Sequence, residues 1–307
     1  NINFINFKNK KKNKIISNKL KFILNENNEV IQSLSKNYTN SYNNKIFKIF
    51  KKTFNFRIIG MGGSILGAQA IYDFLKDKIK KKFYFINNLQ ARYEQLFKKN
   101  YNNIIISKSG NTIETIVNSN ILIKKKDKNL FITENKNNYL NIIAKELKSE
   151  VVSHNNYIGG RYSVLSEVGM LPAELMGLKT KNFKQLNELV KNNNFLNNLV
   201  MNVNSILYFI KKKKFNSIII NYDEKSTNLF NWYQQLVAES LGKKTFGLLP
   251  IISTMPKDNH SVMQLYLDGF KNNFFTFFYV HDMGSDKINN NKLLKSKYFL
   301  KDQNVSN

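Results

Sequence analysis

The sequence predicts an α/β fold in two units, each a parallel sheet with helices on both faces, and two observations carry that prediction. Short apolar runs alternate with amphipathic helical patterns, the rhythm of parallel strands joined by crossover helices. That rhythm begins near Arg57, breaks near Leu178 and resumes near Ser217, and 307 residues suffice for two such units with separate cores. The expected division is 1–177, an N-terminal extension plus the first unit, and 178–307, a second unit incomplete at its C-terminal end.

Residues 1–50 read as polar, Asn-rich helix and loop, with an amphipathic piece near Lys19–Leu34. Strands are expected at Arg57–Met61, Phe83–Asn87, Ile104–Ile106, Leu130–Thr133 and Val151–Val152. Helical patterns at Ile65–Ile79, Ile113–Ile123 and Asn138–Lys148 separate them. After Gly159–Gly177, a helical stretch from Asn182 to Ile210 leads to strand Ser217–Asn221, helix Asn228–Leu241, and strands Thr245–Leu249 and Phe274–Val280. Open α/β sheets bind ligands beyond the carboxyl ends of their strands, so the loops that follow strands are where function is sought.

Composition narrows the function classes. Lys, Asn, Ile, Phe and Tyr dominate, so the scarce residues carry the information: Arg occurs only at Arg57, Arg92 and Arg161, Pro at Pro172, Pro250 and Pro256, and Trp at Trp232. The net charge of +27 comes from Lys spread along the whole chain beside Asn, with runs such as Lys10–Lys12, Lys124–Lys126 and Lys211–Lys214. No zinc spacing, basic zipper or aromatic RNA-binding signature accompanies them, so the charge reads as composition with some steering of an anionic substrate, and no nucleic-acid partner is expected. The absence of Cys excludes disulfides, thiolate metal sites and a cysteine nucleophile. No segment approaches the roughly 20 apolar residues of a membrane helix, and the Lys-rich start has no signal core, so a cytoplasmic compartment and no membrane partner are expected. Asn1 in place of Met suggests a trimmed or partial chain.

Five constellations could carry chemistry. The apolar strand Ile104–Ile106 opens into Ser107, Lys108, Ser109, Gly110, Asn111 and Thr112 before a helical pattern starts. Such a turn aims unpaired backbone N–H groups, hydroxyls and the positive helix end at one point, as a phosphate cradle does; an ordinary helix cap has the same outline. Gly60, Met61, Gly62, Gly63 and Ser64 form a second strand-to-helix turn whose backbone can wrap a polar ligand or simply turn tightly. Its spacing is not the dinucleotide fingerprint and no acidic residue follows at about 20 positions, which argues against a nicotinamide cofactor. Gly159, Gly160 and Arg161 set a permanent cation behind two glycines, suited to a developing oxyanion or to the surface. Gln235 and Glu239, four apart, share a helix face; a Glu partly buried among polar groups can exchange protons with carbon, and a solvated Glu is the commoner case. His260, between Asp258, Asn259 and Ser261 after Pro256, fits an acid or base near neutral pH, whereas His154 and His281 lack polar company in sequence.

Together these segments resemble the phosphoglucose isomerase family. The order along the chain matches: the Gly-Gly-Ser turn, SKSGNTIET at Ser107–Thr115, GGRYSVLSEVGMLP at Gly159–Pro172, QLVAESLGK at Gln235–Lys243 and HSVMQLYLDG at His260–Gly269, spanning about residues 57–270. The resemblance implies two flavodoxin-like sugar-isomerase (SIS) domains, reversible conversion of glucose 6-phosphate to fructose 6-phosphate through an enediolate, no cofactor and no metal. It further implies that Ser107, Lys108, Ser109 and Thr112 hold the phosphate and that Gly63, Ser64 and Gln235 contact the sugar. Glu239 would move the proton between C1 and C2, Arg161 would stabilise the enediolate, and His260, supplied across a homodimer, would assist ring opening.

Two departures accompany it. This chain reads Asn87, Asn88, Leu89 where the family usually carries Asp. The family also ends its site with a Lys about seven residues after a Gln; Asp302, Gln303, Asn304, Val305 resembles the start of that motif, with Gln303 as a substrate contact, and the Lys would lie past Asn307. Two alternatives stand beside the isomerase: a sugar-phosphate-binding SIS protein without turnover, and a bifunctional phosphoglucose and phosphomannose isomerase. A carbon base such as Glu239 argues for an enzyme, because a sensor needs none.

Overall fold

The strongest apolar runs become the central strands of a five-stranded sheet, because a parallel strand covered on both faces must be apolar along its whole length. The structure, a computed structural model, describes residues 13–26, 28–50, 52–93, 100–281, 284–289, 297, 301–303 and 305. Asn1, the Lys10–Lys12 run and Asn304 lie outside the described residues. The chain begins with helices α1 (Lys14–Asn25), α2 (Glu29–Gln32) and α3 (Asn44–Phe50), and continues as β1 (Asn55–Gly60), α4 (Leu66–Phe74), β2 (Lys82–Ile86), β3 (Asn102–Ile106), α5 (Ile113–Leu122), β4 (Asn129–Thr133), α6 (Tyr139–Glu146), β5 (Glu150–Ser153) and α7 (Glu167–Leu175). Then come α8 (Leu186–Leu189), α9 (Asn193–Lys211), β6 (Asn216–Asn221), α10 (Thr227–Leu241), β7 (Leu249–Thr254), α11 (Met263–Asp268) and β8 (Asn273–Phe278).

The first sheet has strand order β2-β1-β3-β4-β5, with every pair parallel. This is the flavodoxin-like order, whose direction of winding reverses between β1 and β3. Alternate residues feed two cores. Ile58, Ile104, Ile106, Leu130 and Ile132 face α4 and α7, packing with Ala68, Ile71, Val168 and Leu171. Ile59, Ile105 and Phe131 face the other way, onto Leu122 of α5 and Leu140 and Ala144 of α6. The second sheet, β7-β6-β8, is parallel too and carries a smaller core around Ile218, Ile220 and Met255.

Several expectations shift. The predicted strand at Thr245–Leu249 is instead β7, Leu249–Thr254; Lys244 and Thr245 take positive φ in a turn. Pro250 is tolerated within β7 because β7 is an edge strand, where a missing N–H costs no ladder bond. The helical stretch Asn182–Ile210 divides into α8 and α9 because Asn192 caps the latter, its side chain accepting from Phe195 N–H. Asn28 likewise splits the amphipathic piece near Lys19–Leu34 into α1 and α2. Among the described residues no helix is long and apolar enough to cross a membrane.

Candidate active site

The reversal point between β1 and β3 brings together the two loops singled out in the sequence. The turn Gly62–Ser64 leaves the carboxyl end of β1, and Ser107–Thr112 leaves that of β3. Ser64 lines one cleft of about 940 Å³ with Lys108, Ser109, Asn111 and Thr112. Within the second loop, Ser107 is buried and its hydroxyl lies 2.9 Å from that of Thr112, while Gly110 N–H donates to it at 3.2 Å. Ser109 Oγ accepts from Asn111 N–H at 3.2 Å. Thr112 is the first residue before α5 but makes no side-chain cap, so the amides at the head of that helix keep no side-chain acceptor. Gly110 takes φ +70, and a Cβ there would lie 2.2 Å from the Asn138 carboxamide; only glycine suits both constraints.

Lys108 donates to the Asn156 carbonyl at 2.6 Å and pairs with Glu134 at 3.5 Å. Lys136 pairs with the same carboxylate. Burial opposes ionisation of Glu134, but the two lysines outweigh it and hold its carboxyl below the usual range. The sequence reading missed Lys136, Glu134 and Asn138 as walls of this cleft, since they enter from the loop after β4 and no motif marks them.

A second convergence lies on the other side of Ser64. Gly63 packs so closely on Gly160 that an added Cβ would lie 2.2 Å from the Gly160 carbonyl, so two glycine loops meet backbone to backbone. Ser163 Oγ reinforces the contact by donating to the Gly63 carbonyl at 3.2 Å. This seats Arg161 beside α10: Nε donates to Ser240 Oγ at 2.9 Å and Nη1 to Glu239 Oε1 at 3.1 Å. Gln235 Nε2 donates to the other Glu239 oxygen at 3.2 Å and abuts Gly62. Gln235 Oε1 is buried without a hydrogen-bond partner among the described residues. Trp232 Nε1 donates to the Arg161 carbonyl at 3.3 Å.

Tyr162 stacks under the Arg161 guanidinium at 4.4 Å, and its hydroxyl lies 3.1 Å from Ser240 Oγ. That bond, with burial opposing it and Arg161 adding to it, draws the Tyr162 hydroxyl below the ordinary phenol value. Of the two readings left open for Glu239, the geometry is nearer the solvated one: its side chain is 52 % exposed, because α10 presents it at the open end of the cluster.

The remaining expected residues stand apart from this cluster. His260 closes a 3-10 turn, Lys257–His260, and its imidazole is exposed. Gln303 lies where Asp302, Gln303 and Val305 pair with Asp286 and Ile288, its carbonyl accepting from Ile288 N–H at 3.0 Å. Asn87 donates to Gln69 at 3.2 Å at the rim of the first sheet. His154, set aside in the sequence reading, has polar company after all: it is buried against Glu167, thirteen residues on, a spacing that only the fold brings together. Among the described residues no three His, Cys, Asp or Glu are grouped to hold a metal.

A model of phosphoglucose isomerase sequences matches residues 2–247. The chain belongs to the phosphoglucose isomerase family. The match includes every residue of both convergences and stops short of His260 and Gln303. The glucose-6-phosphate isomerase of Methanocaldococcus jannaschii is 34 % identical over 241 residues, which are 73 % of this chain and 59 % of that one. That of Mycoplasmoides gallisepticum is 31 % identical over 291 residues, 86 % of this chain and 67 % of that one. The chain thus spans less than two thirds of the first relative's length. Among solved structures, a hypothetical protein of Thermus thermophilus superposes with a TM-score of 0.73 at 19 % identity, covering 94 % of this chain and 71 % of that one. A glucose-6-phosphate isomerase from Chlamydia trachomatis gives 0.67 at 18 % identity, covering 89 % and 58 %. Both share the fold of this phosphoglucose isomerase family member.

Proposed function

We propose that this protein interconverts glucose 6-phosphate and fructose 6-phosphate by proton transfer between C1 and C2. One observation carries the reading: Ser64 belongs both to the cleft of hydroxyls and helix amides and to the glycine turn pressed against the Arg161–Glu239 pair. A phosphate end and a proton-transfer end are therefore adjacent. The phosphate would accept from Ser107, Ser109, Thr112 and the first amides of α5, with Lys108 as a charged lip. The sugar chain would run past Gly63 and Ser64, and the unpartnered Gln235 Oε1 would accept from one of its hydroxyls.

The reaction balances within the substrate and one carboxylate. Glu239 takes the C2 proton, the C–H pair becomes the C1–C2 double bond, and charge gathers on the former carbonyl oxygen. The proton returns to C1 while O2 becomes the carbonyl and a hydroxyl proton passes to O1. Arg161, already bonded to Glu239, would meet that developing charge, so the substrate separates the pair as it enters. His260 is assigned to ring opening from the partner of a homodimer, and Gln303 to a substrate contact. We further assign residues 1–177 and 178–307 to two domains and the protein to the cytoplasm, with no cofactor in the chemistry. Turnover of mannose 6-phosphate as well would use the same groups.

The test is deuterium washout from C2. Glu239→Gln should lower exchange by about 10² to 10⁴ while leaving sugar-phosphate affinity within a few-fold, because the carboxylate is needed chiefly in the transition state. Wild-type exchange in the variant would show that another group is the base. Tight sugar-phosphate binding without any exchange in the parent chain would favour the sensor reading.

A further inference from the structure

The chain buries a hydrogen-bonded His–Glu pair that the reaction does not use, at the base of the loop that carries Arg161. His154 directly follows β5 and Glu167 begins α7, so the residues between them form one excursion whose two ends are clamped. His154 Nδ1 lies 2.5 Å from Glu167 Oε1, and both side chains are essentially sealed from solvent, at 1 % and 0 % exposure. The clamp extends along the excursion. His154 Nε2 faces the Ile158 carbonyl at 3.2 Å, and Asn155 N–H donates to Glu167 Oε1 at 3.0 Å. Tyr38 OH donates to Glu167 Oε2 at 2.9 Å and accepts from Asn155 Nδ2 at 2.7 Å, closing a ring of bonds.

Stability alone does not account for such a pair. A buried hydrogen-bonded polar pair contributes little net free energy, and replacing both partners by apolar residues of the same shape can be nearly neutral. What the pair does supply is direction. Ile158 is followed by Gly159, by Gly160, whose backbone packs on Gly63 and whose carbonyl accepts from Ser163 Oγ at 2.7 Å, and then by Arg161. The imidazole holds the last carbonyl before the glycine pair from one side, and Tyr162 N–H donating to the Gly159 carbonyl at 2.9 Å passes the constraint on. Burial opposes ionisation of Glu167, but His154 and the surrounding amides outweigh it and keep the carboxyl below its usual range.

We infer that His154 and Glu167 are positioning residues, which set Arg161 for the enediolate by holding the Ile158 carbonyl; this rests on the role given to Arg161 above. A displacement of about 1 Å in a group that meets a developing charge can cost up to about 10²-fold, so the clamp has leverage on the chemistry without touching substrate.

The test compares two probes by calorimetry. One is a five-carbon aldonate phosphate, whose carboxylate stands where the enediolate oxygens form. The other is a hexitol phosphate, with the same phosphate and no charge at that end. The parent chain should prefer the aldonate, and Arg161→Lys should erase the preference. His154→Asn can still reach Glu167 but not Ile158, and should lower the preference about tenfold with hexitol binding within about twofold. His154→Gln, whose amide reaches the Nε2 position, should retain most of it. Combining His154→Asn with Arg161→Lys should add no further loss. A parent chain without preference overturns the reading of Arg161 and this inference with it. A preference lost in Arg161→Lys but kept in folded His154→Asn, or lost equally in the Asn and Gln variants, overturns the inference alone. If Asn at 154 does not fold, Tyr38→Phe removes only the hydroxyl on the other Glu167 oxygen and must lower the same ratio; an unchanged ratio overturns the inference.

Discussion

The two sheets contribute to the candidate site in opposite ways. The five-stranded sheet buries β4 from end to end, and its strand order alone delivers the Gly62–Ser64 and Ser107–Thr112 loops to one crevice. The three-stranded sheet leaves Phe277 67 % and Phe275 39 % exposed, and its contribution comes from a helix rather than from strand ends. That helix, α10, has no buried residue among its own, yet it packs on α4 and on the Gly160–Leu165 turn of the first unit. Lys225–Asp77 and Asn228–Asp73 tie its beginning, and Arg161 ties its end at Glu239 and Ser240. The proposed phosphate cradle is thus built into one sheet's topology, whereas the proposed base is held by contacts between units.

Truncating one strand aromatic in each sheet should separate the units most sharply. Phe131→Ala, at a fully buried position of β4, should cost about 3–5 kcal/mol, because the cavity lies between two packed layers. Phe277→Ala on β8 should stay within about 0.5 kcal/mol, as exposed positions usually do. Urea unfolding followed by circular dichroism measures both. Comparable losses would mean that Phe277 is covered in solution and that the contrast between sheets is smaller than its exposure implies.

The same contrast governs what could be read from sequence. Ile104–Ile106 and Leu130–Ile132 announce buried parallel strands because both faces demand apolar side chains, so the first sheet and its loops were legible. The strand expected at Thr245–Leu249 was displaced because edge position, which makes Pro250 harmless, is a property of the whole sheet and not of the local run. Arg161, Gln235 and Glu239 were visible as residue types in motifs, but their meeting was not: it depends on Gly63 and Gly160 touching about a hundred residues apart in sequence. His154 and Glu167 were missed for a related reason. A buried hydrogen-bonded pair leaves no local pattern, since each partner alone looks like a surface residue.

Thr112→Val sharpens the comparison from the phosphate side. It keeps the shape of the residue while removing a hydroxyl 2.9 Å from that of Ser107, and Ser107 still accepts from Gly110 N–H. One lost hydrogen bond to a charged phosphate corresponds to about tenfold in affinity, so KM for glucose 6-phosphate should rise by about that factor with kcat nearly unchanged. Steady-state assay of the coupled reaction checks it. A fall in kcat with KM constant would mean that this loop acts in the transition state and not as an anchor.

A pH-dependent effect belongs to the segment that links the two units. Lys184 is buried there, its ammonium donating to the Tyr38 carbonyl at 3.2 Å and lying 4.0 Å from the centre of that ring. Burial pushes its pKa down to about 8 from an ordinary 10.5, with Glu167 opposing the shift. The folded chain therefore releases this proton near pH 8 and the unfolded chain near 10.5, so between those values the unfolded state binds more protons and stability rises with pH. Below about pH 8 both states hold the proton and Lys184 adds no slope. Lys184→Met keeps the stem against Tyr38 and removes the titration. Urea midpoints measured across the window should therefore climb more steeply in the parent than in the variant. Parallel profiles would mean that the ammonium reaches water in solution, and that the link between the units is looser than the first sheet it leaves.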